Sequence, residues 1–259
     1  MNSAVQVITW QGLAIAFVPT LIVLAIMWRW TAGVETGIYA TFRMLAQLLL
    51  IGYVLVYVFE AGQPGVVLAV LGFMLVVSSW IAIRPLQDKS RRLYRNAFIA
   101  ISTSGVLTLA LVSQAVIGIE PWFSPRYLIP LAGMIFAGAM TTISLAGERA
   151  YAEAARGVSY LEARRIAMQA ALIPMINSLL AVGLVSLPGM MTGQILSGVS
   201  PVVAAKYQIV VMSMLFGVSG LSAAIFLRLE RGELERLGVP ANGHRQESLS
   251  GAMSVSYTH

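Results

Sequence analysis

The chain has 259 residues, of which 58% are hydrophobic and only 11% charged, and its 17 Lys+Arg against 11 Asp+Glu leave a net charge of +6. A soluble domain carries about 25% charged residues, so this composition excludes a conventional soluble enzyme, a disordered chain and a nucleic-acid-binding domain. Cysteine is absent, which removes disulfides, thiolate metal sites and cysteine nucleophiles. An all-α, polytopic integral membrane protein is expected.

Uncharged runs mark the spans in chain order: 1–28, 44–59, 61–83, 96–119, 127–147, 166–205 and 207–227. A crossing helix needs roughly 20 apolar residues. The short second run reaches back to about Thr36 if Arg43 extends toward the headgroups. The sixth is broken at Pro188-Gly189, so it reads as one span, about 166–187, followed by a re-entrant or external segment. Seven spans place fifteen of the Lys and Arg residues on one side and only Arg126 and Lys206 on the other. That asymmetry predicts the N-terminus outside and the C-terminus inside.

Residues 1–228 form the predicted transmembrane domain, and 229–259 a cytoplasmic tail, helical to about Leu237 and disordered from about 238. Between spans five and six, Gly147–Arg165 has apolar residues at helical spacing opposite a charged face. It is expected to form one amphipathic surface helix.

The central spans contain no Asp or Glu, which disfavours ion-coupled transport through intramembrane carboxylates. No P-loop is possible either, because Lys89 follows Asp88 and Lys206 follows Ala205. The chain is therefore expected to be non-catalytic, to bind no cofactor of its own, and to need another subunit if it pumps. A retinal protein would need a Schiff-base lysine deep in the bilayer, whereas Lys206 lies at the mouth of its span. His244 and His259 fall in the tail, and no metal ligand set is evident.

Polar and irregular positions within the spans are the path candidates. Arg43 and Gln47 lie one turn apart on one face. Asn177 and Ser178 follow Pro174, whose ring frees a carbonyl. Met190, Met191, Thr192 and Gln194 put thioether and oxygen ligands on an irregular segment, where Gly189 and Gly193 have the spacing of close helix packing.

Several strings resemble one family: Phe42-Arg-Met-Leu-Ala-Gln-Leu-Leu-Leu-Ile-Gly-Tyr-Val-Leu55, Ile129-Pro-Leu-Ala-Gly-Met-Ile135, Ala170-Ala-Leu-Ile-Pro174, Val182-Gly-Leu-Val-Ser-Leu-Pro-Gly-Met-Met-Thr-Gly-Gln-Ile-Leu196 and Lys206-Tyr-Gln-Ile-Val210. The resemblance, collinear from about 36 to 228, is to the FetB-type permease subunits of bacterial ABC transporters implicated in iron export, related to plant aluminium-tolerance permeases. It departs where the family reads Gly-Asn-Ala-Met and this chain has Ala137-Gly138-Ala139-Met140. The loop between spans five and six is also shorter.

The resemblance implies a permease dimer in the bacterial inner membrane, in contact with lipid and not with nucleic acid. A separate ABC ATP-binding subunit would consume the ATP and dock on segment 147–165. Glu148, Glu153, Arg156, Gly157, Glu162 and Arg165 are then the coupling candidates. An ATPase-independent carrier or channel is the alternative, and a retinal-type seven-helix photoreceptor a more distant one.

Overall fold

The computed structural model describes residues 8–30 and 33–238. They form ten α-helices and no β-strand among the described residues, in two units, Met1–Gly62 and Gln63–His259.

The first unit holds α1 (Trp10–Ala16), α2 (Val18–Trp30) and α3 (Val34–Ala61). The Thr9 hydroxyl caps α1 by accepting from the Gly12 N–H at 3.1 Å. Helices α2 and α3 meet at Gly37, where a Cβ would lie 2.9 Å from Leu24 Cδ2. Helix α3 runs unbroken through Arg43, so the short second run does extend backward, starting at Val34.

The second unit holds α4 (Pro64–Ala82), α5 (Arg91–Ala110), α6 (Pro125–Ala155), α7 (Tyr160–Ala181), α8 (Gly189–Leu196), α9 (Pro201–Leu229) and α10 (Arg231–Gly238). Proline opens α4, α6 and α9, where its missing N–H costs no helical bond. Helix α6 is the hub and packs against α4, α5, α7, α9 and α10. Its contact surface is a row of small residues: Ala146, Ala150 and Ala154 are fully buried, against Ala167 and Ala171 of α7 and Ala223 and Leu227 of α9. Without a hydrophobic drive between helices in lipid, such close backbone approach supplies the packing energy.

Buried hydroxyls are satisfied locally. Ser79 donates to the Leu75 carbonyl at 2.8 Å and Ser104 to the Ala100 carbonyl at 2.7 Å. Ser144 also crosses between helices, donating to the Ala82 carbonyl at the end of α4 at 2.8 Å.

Six helical stretches are long and apolar enough to cross a membrane: Trp10–Trp30, Val34–Glu60, Pro64–Ala82, Arg91–Val116, Pro125–Ala155 and Pro201–Leu229. The expected seventh, about 166–187, is a helix but ends at Ala181. It is not among the six, because Glu162, Arg164, Arg165, Gln169 and Asn177 dilute its apolar run.

Two further expectations are corrected, and one span shows a feature the sequence did not indicate. Gly147–Arg165 is not one surface helix but the end of α6, a turn, and the start of α7. Gly157 makes the break, at φ +82°, with Val158 N–H donating to the Glu153 carbonyl and Gly157 N–H to the Ala154 carbonyl, a Schellman turn. The fourth span winds into a π-helical turn at Leu111–Val116. The helical tail is interrupted at Glu230 before α10 begins. The disorder expected from about 238 concerns residues 239–259, which with His244 and His259 lie outside the described residues.

Candidate functional site

A cleft of about 360 Å³ opens between the middles of α6 and α9 and the second half of α7. Met134, Thr141, Thr142, Met175, Ser178 and Ser219 line it. Its polar atoms are hydroxyls and its soft atoms thioethers, with no carboxylate among the lining residues. Thr142 donates to the Gly138 carbonyl at 2.8 Å and Ser178 to the Pro174 carbonyl at 2.9 Å, so both hydroxyl oxygens retain lone pairs for a guest. At Gly138 α6 faces α9, where a Cβ would sit in ordinary contact, 3.4 Å from Leu215 Cδ2 and 3.5 Å from Ser219 Oγ.

The expected path residues fall in three places. Ser178 lines the cleft, whereas Asn177 is exposed and does not line it. Arg43 and Gln47 belong to α3 in the first unit, with Arg43 half-buried and Gln47 exposed. Met190, Met191, Thr192 and Gln194 share α8, which packs on α9. There the Gln194 Oε1 is buried without a hydrogen-bond partner, as is the Oε1 of Gln208 on α9. Each such oxygen costs about 1–3 kcal/mol. The Gly189–Gly193 spacing packs no helix here, since a Cβ at either glycine meets nothing within 4 Å. No group of three or more His, Cys, Asp or Glu able to hold a metal occurs among the described residues.

At the α6–α7 end of the unit a polar network ties three elements together. Glu230, 1% exposed, accepts from Asn96 Nδ2 at 2.6 Å and from the Tyr151 hydroxyl at 2.6 Å. Arg92 stands 3.4 Å from Glu230 and 3.0 Å from Glu233. A buried carboxylate is tolerated only when paired and hydrogen-bonded, and Glu230 has both. The sequence pattern did not single out Glu230, Asn96 or Arg92, and it read Tyr151 only as part of an apolar helix face. The available signal was a carboxylate closing the apolar run of α9.

The coupling candidates surround the adjacent turn. Glu153, 5% exposed, is held by Arg149 at 2.8 Å and Arg156 at 3.2 Å, so it braces the helix end from within. Arg156 and Gly157 are exposed at the tip. Glu148 lines a separate cleft of about 750 Å³ with Asp88, Tyr151, Glu233 and Arg236. Glu162 and Arg165 form an exposed ion pair at 2.6 Å, and that hydrogen bond holds the Glu162 carboxyl below the usual carboxylate range.

The family model described as "Uncharacterised protein family (UPF0014)" matches residues 10–233. A UPF0014 membrane protein of Synechocystis sp. is 33% identical over 237 residues, spanning 86% of this chain and 85% of its own. The "Probable iron export permease protein FetB" of Escherichia coli is 33% identical over 237 residues, with 84% and 89% covered. The protein Aluminum Sensitive 3 of Arabidopsis thaliana is 30% identical over 203 residues, with 72% of each chain covered. No solved structure matches.

Proposed function

The chain belongs to the UPF0014 family, and from that premise we propose that it is the permease subunit of an ABC-type metal exporter. In this reading iron is the cargo and the site is the bacterial inner membrane. A separate ATP-binding subunit supplies energy that this chain, lacking a P-loop, cannot generate. The likeness to the E. coli protein supports iron.

The observation that carries the proposal is the hydroxyl- and thioether-lined cleft between the middles of α6 and α9 and the second half of α7. Thioethers suit soft or borderline metal ions, and hydroxyl oxygens supply weak ligands that release them. A path must bind its cargo without trapping it, and a set with no carboxylate meets that condition.

Helix α7 links this cleft to the turn at Gly157. From Tyr160 to Ser178 the helix spans about 27 Å at 1.5 Å per residue. Closure of paired ATP-binding subunits on Arg156, Gly157, Glu162 and Arg165 would move α7 as a lever, so the wall carrying Met175 and Ser178 shifts against α6 and α9. Glu148 and Glu153 brace the end of α6 in that motion. Asn177, the α8 residues Met190, Met191, Thr192 and Gln194, and Arg43 and Gln47 of the first unit are further path residues in this proposal. The working assembly is a permease dimer with its ATPases.

The test is isolation of the tagged chain from native membranes in mild detergent. A stoichiometric P-loop ATPase is expected, and should be lost when Arg156 and Gly157 are replaced. Inside-out vesicles holding the pair should take up iron only with ATP. Uptake by the chain alone, with neither partner nor nucleotide, would overturn the proposal in favour of an independent carrier or channel.

A further inference from the structure

We infer that the cleft between the start of α7 and the junction of α9 with α10 binds the phosphate of an anionic phospholipid headgroup. This cleft, about 620 Å³, is separate from the metal path and lined by Tyr160, Leu161, Arg164, Arg228, Arg231 and Glu235 among others. Three arginines face one carboxylate there, and that carboxylate is already used, because Glu235 holds Arg231 at 2.7 Å. Arg164 and Arg228 are exposed and have no acidic partner among the described residues.

The arginines are pre-positioned. Tyr160 is buried and donates its hydroxyl to the Leu227 carbonyl at 3.3 Å. The guanidinium carbons of Arg164 and Arg231 each lie over its ring, 5.5 Å from the centroid. Glu235 neutralises Arg231, which leaves the Arg164 guanidinium beside it, with Arg228, for an added anion. Guanidinium forks match phosphate oxygens two at a time, so phosphate is the anion they fit. The first turn of α7 adds backbone donors, since Ser159 makes no side-chain cap to occupy them.

Position selects a lipid as the source. Arg228 lies in the last turn of α9, one of the six membrane-crossing helices, so the cleft stands at the level where hydrocarbon gives way to headgroups. Leu161, on the cleft wall, is 65% exposed and offers an apolar surface for the glycerol and the first acyl carbons. Basic pockets between membrane helices take anionic headgroups by this combination.

Native mass spectrometry of the full chain, purified with equal phosphatidylglycerol and phosphatidylcholine, reads the site. The wild type should retain phosphatidylglycerol over phosphatidylcholine by about tenfold or more. R164Q/R228Q should fall to parity, with R164K/R228K between the two because an ammonium cannot fork onto phosphate. R91Q, a basic position elsewhere, should keep the wild-type preference. An unchanged preference in R164Q/R228Q would overturn the site. So would an equal loss in R91Q, which would reduce the effect to diffuse charge. Protection of the wild type against heat by inorganic phosphate, with no lipid preference, would overturn the lipid source in favour of soluble phosphate.

Discussion

The Tyr151 hydroxyl, on the last turns of α6, donates to Glu230 at 2.6 Å across 79 residues of sequence. The same carboxylate holds Asn96 of α5, so three helix ends close on one buried charge. Tyr151→Phe removes one hydrogen bond to a charged group and should cost about 1.5–3 kcal/mol. Glu230→Ala leaves Asn96 and Tyr151 unpaired together and should cost more, about 3–5 kcal/mol. Thermal unfolding in detergent, with Glu230→Gln as the milder comparison, measures both.

Glycine positions divide by what surrounds them. A Cβ on Gly105 would lie 2.9 Å from Phe136 Cε1, whereas one on Gly189 meets nothing within 4 Å. Gly105→Ala should destabilise by about 1–3 kcal/mol through overpacking of α5 on α6. Gly189→Ala should leave the isolated chain's melting midpoint unchanged, and the pair is compared in one unfolding series.

At the α6–α7 turn, Gly157 has φ +82° with open space around it. The cost of a side chain there is conformational and not steric. Gly157→Ala should lower stability by about 1 kcal/mol, and hydrogen exchange at the turn should rise.

For Arg43 the expected outcome concerns transport. It sits ten residues into a 28-residue apolar helix, where an arginine is costly to keep without a role. Under the proposed permease function, Arg43→Ala should abolish export in vesicles while leaving membrane insertion intact. Normal export by this variant would remove Arg43 from the path.

Arg165 lowers the carboxyl pKa of Glu162 through a direct hydrogen bond. The pair's contribution is therefore complete above the ordinary carboxylate range and is lost as pH falls through the lowered value. Carbon-13 carboxyl titration should show the Glu162 transition moving up in Arg165→Ala, with no effect at neutral pH.

The helical class and most spans were legible because charge-free runs of bilayer length are a one-dimensional signal, and Arg43 did not break α3. The single surface helix expected at 147–165 was not, since its periodicity continues across Gly157 and only the φ of that residue divides it. Ser178 was visible as a polar residue after a proline, but its neighbours Met134, Thr141 and Ser219 come from helices remote in sequence. Glu230 was hidden for the same reason: Asn96 lies 134 residues away.

The alanine seam between α6 and α7 has a mechanical consequence. Ala146, Ala150 and Ala154 of α6 share one buried cluster with Ala167 and Ala171 of α7, flanked by the larger Tyr151, Tyr160 and Met168, so the alanine part of the interlock is shallow. Each methyl contact is worth about 0.1–0.2 kcal/mol, and a slide along the seam trades one such contact for another at little net change. Larger side chains would have geared the helices together in fixed notches. The alanine part of the seam has the shape of a plain bearing, bounded at one end by the Schellman turn that joins the two helices and flanked by the larger Tyr151, Tyr160 and Met168.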